Sequence, residues 1–194
     1  MSEQLNNPAR VKLLAIDNNV PRTSEVRGTL GAIPRITDRW ILSRRPPKNT
    51  VDPTRPYAFL IEKERTATGE IEDLATIFLT NCECPFCCLM CDLWKNTTDL
   101  LVPKGAISAQ IRWALEKTNS AKHIKLYNSG NFFDTKAIPH ADHTEIAHLL
   151  SPFKTVIIEN HPRLVDHRCL EFRDRLVPKL EVAMGLETVH EGVL

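Results

Sequence analysis

Hydrophobic and polar positions divide the chain into an interrupted N-terminal part and a regularly patterned remainder. Residues 1–56 contain repeated prolines and arginines, as in NNPAR, NNVPR, RRPPKN and VDPTRP, which break every candidate periodic run. We interpret 1–56 as an irregular N-terminal extension, with part of the first 36 residues expected to be disordered and RWIL (Arg39 to Leu42) forming a short docked element. Residues 57–194 are expected to form the core.

Regular structure is predicted from Tyr57 onward. YAFLIE and EIEDLATIFLT are strand-like and are separated by KERTATG, whose Gly69 suits the turn of a hairpin. Further along, HIKLYN, TVIIEN and LEVAMGLE are typical of strands, whereas AISAQIRWALEKT, TEIAHLL and RCLEFRDRL are typical of helices. Strand and helix therefore alternate four times from Ala75 to the end, which predicts an α/β fold with parallel strands.

The most polar or glycine-containing segments follow the predicted parallel strands. They are TNCECPFCCLMC, NSGNFFD, ENHPR and GLET. In α/β folds, ligands bind at the edge formed by the carboxyl ends of such strands. We therefore expect a functional site where these four segments meet.

Composition excludes some classes of protein. The 194 residues are 42% hydrophobic and carry a formal net charge of +1, so the chain has a normal core-forming composition and no global basic field for nucleic acid. No apolar run reaches the roughly 18 residues of a membrane span, and the N-terminus lacks a charged-then-apolar signal. We expect a cytoplasmic protein that does not enter the membrane.

Cysteine is concentrated in one short segment. Five of the six cysteines fall within ten residues, and Cys169 stands apart; the five are Cys82, Cys84, Cys87, Cys88 and Cys91. Disulfides between such near neighbours would close trivial loops, and a chain without an export signal sits in a reducing compartment. Metal or cluster ligation is the better interpretation.

Two registers of ligands are compatible with this segment. Cys84, Cys88 and Cys91 have the spacing C-x3-C-x2-C. If these three are the ligands, Cys82 and Cys87 are extra thiols. The same segment contains two C-x2-C pairs, with which many zinc sites begin, although no second ligand pair follows about 12 to 20 residues downstream. A further group, His140, His143 and His148, is interpreted as the solvated start of a helix rather than a metal site.

The C-x3-C-x2-C motif, directly after the first strand of the α/β unit, resembles the radical S-adenosylmethionine (SAM) superfamily, in the branch of the Elongator catalytic subunit and the archaeosine-synthesis radical SAM proteins. The resemblance implies a partial (β/α) barrel with about four βα units. It also implies that Cys84, Cys88 and Cys91 hold a [4Fe-4S] cluster whose fourth iron is open to SAM. The activity implied is reductive cleavage of SAM to a 5′-deoxyadenosyl radical, which removes a hydrogen atom from substrate.

The resemblance extends to the residues expected to bind SAM. Asn128, Ser129 and Gly130 match the motif that receives the SAM amino group, although the acid of the usual GGE sequence is absent. Glu159 in ENHPR and Glu187 in GLET match later strand-end motifs of the same branch. Met90, within the cysteine motif, completes the residues expected to contact SAM. No residue is assigned to the hydrogen-abstraction step.

The chain is shorter than the resemblance would require for a complete barrel. Superfamily cores usually have six βα units, whereas about four fit between Ala75 and Leu194. We therefore expect either a C-terminally truncated enzyme or a second chain that completes the barrel. A non-catalytic iron–sulfur or zinc-binding module and an inactive remnant remain alternatives. The substrate is unknown; a tRNA base is suggested only by the branch resemblance.

Overall fold

The chain folds as a mixed α/β protein, seen in a computed structural model that describes residues 36–117, 121–185 and 190. In chain order the helices and strands are α1 (Asp38–Arg44), β1 (Ala58–Arg65), β2 (Ile71–Phe78), α2 (Ala106–Leu115), β3 (His123–Tyr127), α3 (His143–Leu149), β4 (Thr155–Glu159), α4 (His167–Arg175) and β5 (Lys179–Ala183). The expected α/β class and the predicted order of strands and helices after Tyr57 are confirmed.

The five strands form one sheet in the order β1-β2-β3-β4-β5. The first two strands pair antiparallel, and the hairpin turn between them includes Gly69 at a φ of 86°, which favours glycine. The remaining pairs are all parallel. The carboxyl ends of β2 to β5 therefore lie along one edge of the sheet, as the alternation of strands and helices predicted.

One face of the sheet is packed against α2, α3 and α4. Alternate strand residues point to this face, as the two-residue period of a strand requires. They contact apolar side chains from the three helices, and the core includes Ala75, Ile77, Ile124, Leu126, Val156 and Ile158 from the sheet and Ile107, Ile111, Ala114, Ile146 and Phe172 from the helices. Opposite positions on β2 to β4 include Thr76, Lys125, Tyr127 and Glu159, so the second face is much more polar.

A short helix lies within the segment expected to be irregular. The hydroxyl of Thr37 accepts a hydrogen bond from the backbone N–H of Trp40 and caps α1, and Asp38 and Arg44 carry favourable charges at its two ends. The short element expected at Arg39 to Leu42 thus forms part of a helix. Disorder was expected in part of the first 36 residues. Of these, only Ile36 belongs to the described residues, and the others lie outside them.

One histidine departs from the expected solvated helix start. His140 and His148 are exposed, but His143 is only 1% exposed. Its ring packs 5.4 Å from that of Phe132 and 5.3 Å from that of Phe172, measured between ring centroids. The expectation was wrong for His143 because aromatic side chains from another loop and helix cover it. None of the described helices has the length and apolarity needed to cross a membrane.

Candidate functional site

The five neighbouring cysteines lie on a loop at the carboxyl edge of the sheet. This cysteine loop, residues 82–98, begins shortly after β2. Its base is closed by a hydrogen bond of 2.9 Å from the Thr98 N–H to the Asn81 carbonyl and by a bridge between Cys82 and Thr98. The expected placement of the cysteines after the first parallel strand is therefore observed.

A tight turn after β3 contacts the first of the three candidate ligands. Ser129 has a φ of 49°, in the left-handed region that non-glycine residues rarely adopt. A Cβ placed on Gly130 would lie 3.3 Å from the Cβ of Cys84, closer than ordinary contact. Glycine at this position therefore allows Cys84 to approach the backbone of the turn.

Asn131 joins three segments of the site. Its Nδ2 donates a hydrogen bond of 3.2 Å to the Sγ of Cys84, and its Oδ1 accepts one of 2.6 Å from the backbone N–H of His161. The ring of His161 in turn packs 4.4 Å from that of Phe86 in the cysteine loop, measured between centroids. Asn131 was not among the site residues predicted from the sequence, where its only signal is an amide residue next to the glycine of NSGN.

The protein environment acts on the Cys84 thiol in two opposing ways. Burial raises its pKa, while hydrogen bonds from the Phe86 backbone N–H and from the Asn131 amide oppose that rise. Burial also raises the pKa of Cys87. The two donors at Cys84 are the kind of outer contacts that stabilise a coordinated thiolate.

The thiols do not form a ready-made metal site. Cys84 and Cys91 are partly buried and Cys88 is exposed. Among the described residues, no three cysteine, histidine or acidic side chains converge closely enough to hold an ion. The donor set nevertheless fits an iron–sulfur cluster, because three thiols share one loop and clusters are held by cysteine thiolates. Binding would therefore have to draw the thiols together.

Asn128 is buried without a partner at the end of β3. Its side chain is fully buried, and within the described part of the chain neither its Oδ1 nor its Nδ2 has a hydrogen-bond partner. Such an amide costs free energy unless something hydrogen-bonds to it. The neighbouring Ser129 differs, since its hydroxyl hydrogen-bonds to the Tyr57 hydroxyl at 3.1 Å. Asn128 is thus a buried amide whose hydrogen-bonding capacity is unused.

Glu159 ends β4 on the polar face of the sheet. Burial raises its pKa above the ordinary value for a glutamate, and the positive charge of Lys125 partly opposes this effect. The backbone carbonyl of Glu159 accepts a hydrogen bond of 2.9 Å from the N–H of Phe132. The loop after β3 and the end of β4 are therefore directly linked.

Two further residues, Met90 and Glu187, were also predicted to contact SAM. Met90 is 82% exposed, on the outer part of the cysteine loop. Glu187 lies outside the described residues. Among the residues that the structure does describe, the site brings together Cys84, Gly130 and the end of β4, whereas Met90 is mostly exposed to solvent.

The comparisons with known proteins give no assignment. No protein-family model matches the chain, and no solved structure matches it. The chain is 26% identical over 156 residues to "Uncharacterized protein MJ0550" of Methanocaldococcus jannaschii. That match covers 73% of this chain but 43% of the relative, so the chain spans less than half the length of the relative it matches.

Proposed function

We propose that the chain is the cluster- and SAM-binding part of a radical SAM enzyme. The observation that carries the proposal is the contact between the cysteine loop and the turn after β3, where Cys84 lies against Gly130 and accepts a hydrogen bond from Asn131. A thiol-rich loop directly against a buried polar turn is the arrangement required if one ligand is to bind both the cluster and the protein.

In this proposal the three cysteines of the C-x3-C-x2-C motif hold three irons. A fourth iron would then be available to SAM, since the motif supplies one thiolate fewer than a closed four-cysteine site. Such a cluster, once bound and reduced, would supply the one electron needed to cleave SAM into methionine and a 5′-deoxyadenosyl radical. The protein residues act around this step: the Phe86 N–H and the Asn131 amide favour the Cys84 thiolate over the thiol.

The turn after β3 is the proposed site for the amino acid part of SAM. Asn128 offers an amide oxygen and an amide N–H that lack partners, and these match an ammonium and a carboxylate. The backbone of Ser129 and Gly130 lies beside them. Glu159 supplies a carboxylate on the polar face, where it is proposed to contact SAM.

The sheet is proposed to be the first part of a (β/α) barrel. Three helices cover one face, and the second face carries polar side chains, as the interior of a ligand-binding barrel does near its carboxyl edge. Further strands beyond β5 would come from a longer form of the protein or from a second chain. The substrate stays open, because its contacts are proposed to lie on those further strands.

Iron and sulfide uptake by single-cysteine variants tests this proposal. After anaerobic reconstitution, we expect about four irons and four sulfides per wild-type chain. Changing Cys84, Cys88 or Cys91 to Ala should remove stable uptake, whereas C169A on α4 should retain it. Equal uptake by all four variants, or zinc in place of iron, would move the protein to the zinc-binding or non-catalytic alternative.

A further inference from the structure

Residues 45–49, here called the strap, connect α1 to the two ends of the cysteine loop. At the start of the loop, the Glu83 carboxylate forms ion pairs with Arg45 and, at 2.9 Å, with the Nζ of Lys48. At its far end, the backbone N–H of Asn49 donates a hydrogen bond of 2.8 Å to the Lys95 carbonyl. The strap therefore holds both ends of the segment that carries the candidate ligands.

Arg45 contacts both ends by itself. Its guanidinium pairs with Glu83, the residue directly before Cys84, and lies 4.7 Å from the centroid of the Trp94 ring. The indole Nε1–H of Trp94 donates a hydrogen bond of 3.1 Å to the backbone carbonyl of Cys91. One guanidinium is thus connected through Glu83 to the first ligand of the motif and through Trp94 to the third.

Burial strengthens the contacts of Arg45 with Glu83 and Trp94. The Arg45 side chain is 11% exposed and Trp94 is 6% exposed. A charge-assisted hydrogen bond and a cation–π contact are both stronger when water is excluded. The planar guanidinium makes the two contacts at once, one through its edge and one through its face.

We propose that Arg45 is a positioning residue that fixes the separation of Cys84 and Cys91. The inference rests on the proposed function, because it assigns the two cysteines to one cluster. Outer residues that orient metal ligands commonly change metal retention by one to two orders of magnitude. Arg45 does so from the strap, 38 residues before Glu83 in the sequence.

The first test uses the reduced, iron-free chain, so it does not depend on cluster formation. Alkylation rates of Cys84 and Cys91 by iodoacetamide are followed by peptide mass spectrometry, with Cys169 as the internal reference. We expect R45Q to label about tenfold faster at both positions, the effect of losing one charge-assisted hydrogen bond, and Cys169 to be unchanged. R45K should fall between wild type and R45Q.

Arg44 provides the matched control. Its guanidinium lies 5.4 Å from the centroid of the exposed Trp40 ring, and among the described residues it forms no hydrogen bond or ion pair with the cysteine loop. We expect R44Q to label at the wild-type rate at Cys84 and Cys91. Equal labelling of wild type and R45Q, or equal effects of R44Q and R45Q, would overturn the role of Arg45.

Two further measurements separate local positioning from unfolding and from failure of the proposed function. If R45Q unfolds, Cys169 labelling rises as well, and W94F then provides the test. This variant keeps a ring but removes the indole N–H, so it should speed labelling at Cys91 and not at Cys84. An unchanged labelling rate at Cys91 would contradict the proposal. In reconstituted protein, R45Q should lose iron to a chelator about tenfold faster than R44Q. If wild type takes up no iron, the proposed function fails while the labelling result still decides the role of Arg45.

Discussion

The buried His143 should make the stability of the fold depend on pH. Its ring lies among aromatic side chains, and within the described residues neither ring nitrogen has a hydrogen-bond partner. Burial, aided by the positive charges of His140, Arg175 and Arg168, lowers the pKa of His143 from 6.5 to about 4. The folded protein therefore holds this ring neutral under conditions in which the unfolded chain protonates it.

The sign and size of the effect follow from proton linkage. Between pH 6.5 and 4 the unfolded chain binds more protons at this position, so the free energy of unfolding falls as pH falls. Each pKa unit corresponds to about 1.4 kcal/mol, which gives a loss of about 2 kcal/mol at pH 5 and roughly 3 kcal/mol below pH 4. Folded domains are stable by about 5–15 kcal/mol, so such a loss is readily measured.

Urea unfolding at pH 7 and pH 5 tests this prediction. From pH 7 to pH 5, we expect the free energy of unfolding of wild type to fall by about 2 kcal/mol more than that of H143L, which has no group to protonate at this position. H148L, at an exposed position of the same helix, should behave as wild type does. Hydrogen bonds to basic partners lower the pKa values of Glu72 and Asp166 to about 2, so these two acids titrate below this range. The same pH dependence in wild type and H143L would refute the reasoning.

Three substitutions at the carboxyl edge of the sheet have distinct expected outcomes. N128L should stabilise the ligand-free fold by about 1 kcal/mol in thermal or urea unfolding, because it removes unpartnered buried polar atoms. The same variant should show no SAM binding in calorimetry. A destabilised variant that still binds SAM would contradict both expectations. G130A should lower the iron content after reconstitution because its Cβ crowds that of Cys84, and an unchanged iron content would show that this contact is unimportant. N131A should slow the reaction of Cys84 with iodoacetamide at pH 8, since it removes a donor to the thiolate; an equal or faster rate would contradict that role.

Much of the fold could be predicted from local patterns. The apolar runs of β2, β3 and β4 are buried on the helix-covered face, and their spacing with α2, α3 and α4 was sufficient to predict a parallel arrangement. The placement of the cysteine loop beside the turn after β3 followed from the same rule, since carboxyl ends of parallel strands share an edge.

Features that depend on distant side chains could not be predicted in this way. Asn131 reaches Cys84 across 47 residues of sequence, and Arg45 reaches Glu83 across 38. The burial of His143 depends on Phe132 and Phe172 from other parts of the chain. In each case the local sequence is ordinary, and only the tertiary structure supplies the partner.

The central claim is that an open iron of a cluster and the turn after β3 bind SAM together. The most direct measurement is the electron paramagnetic resonance spectrum of the reconstituted, reduced chain with and without SAM. The proposal predicts a cluster signal that changes when SAM is added to wild type and does not change when it is added to N128L. A cluster signal that is identical with and without SAM in wild type would contradict the claim.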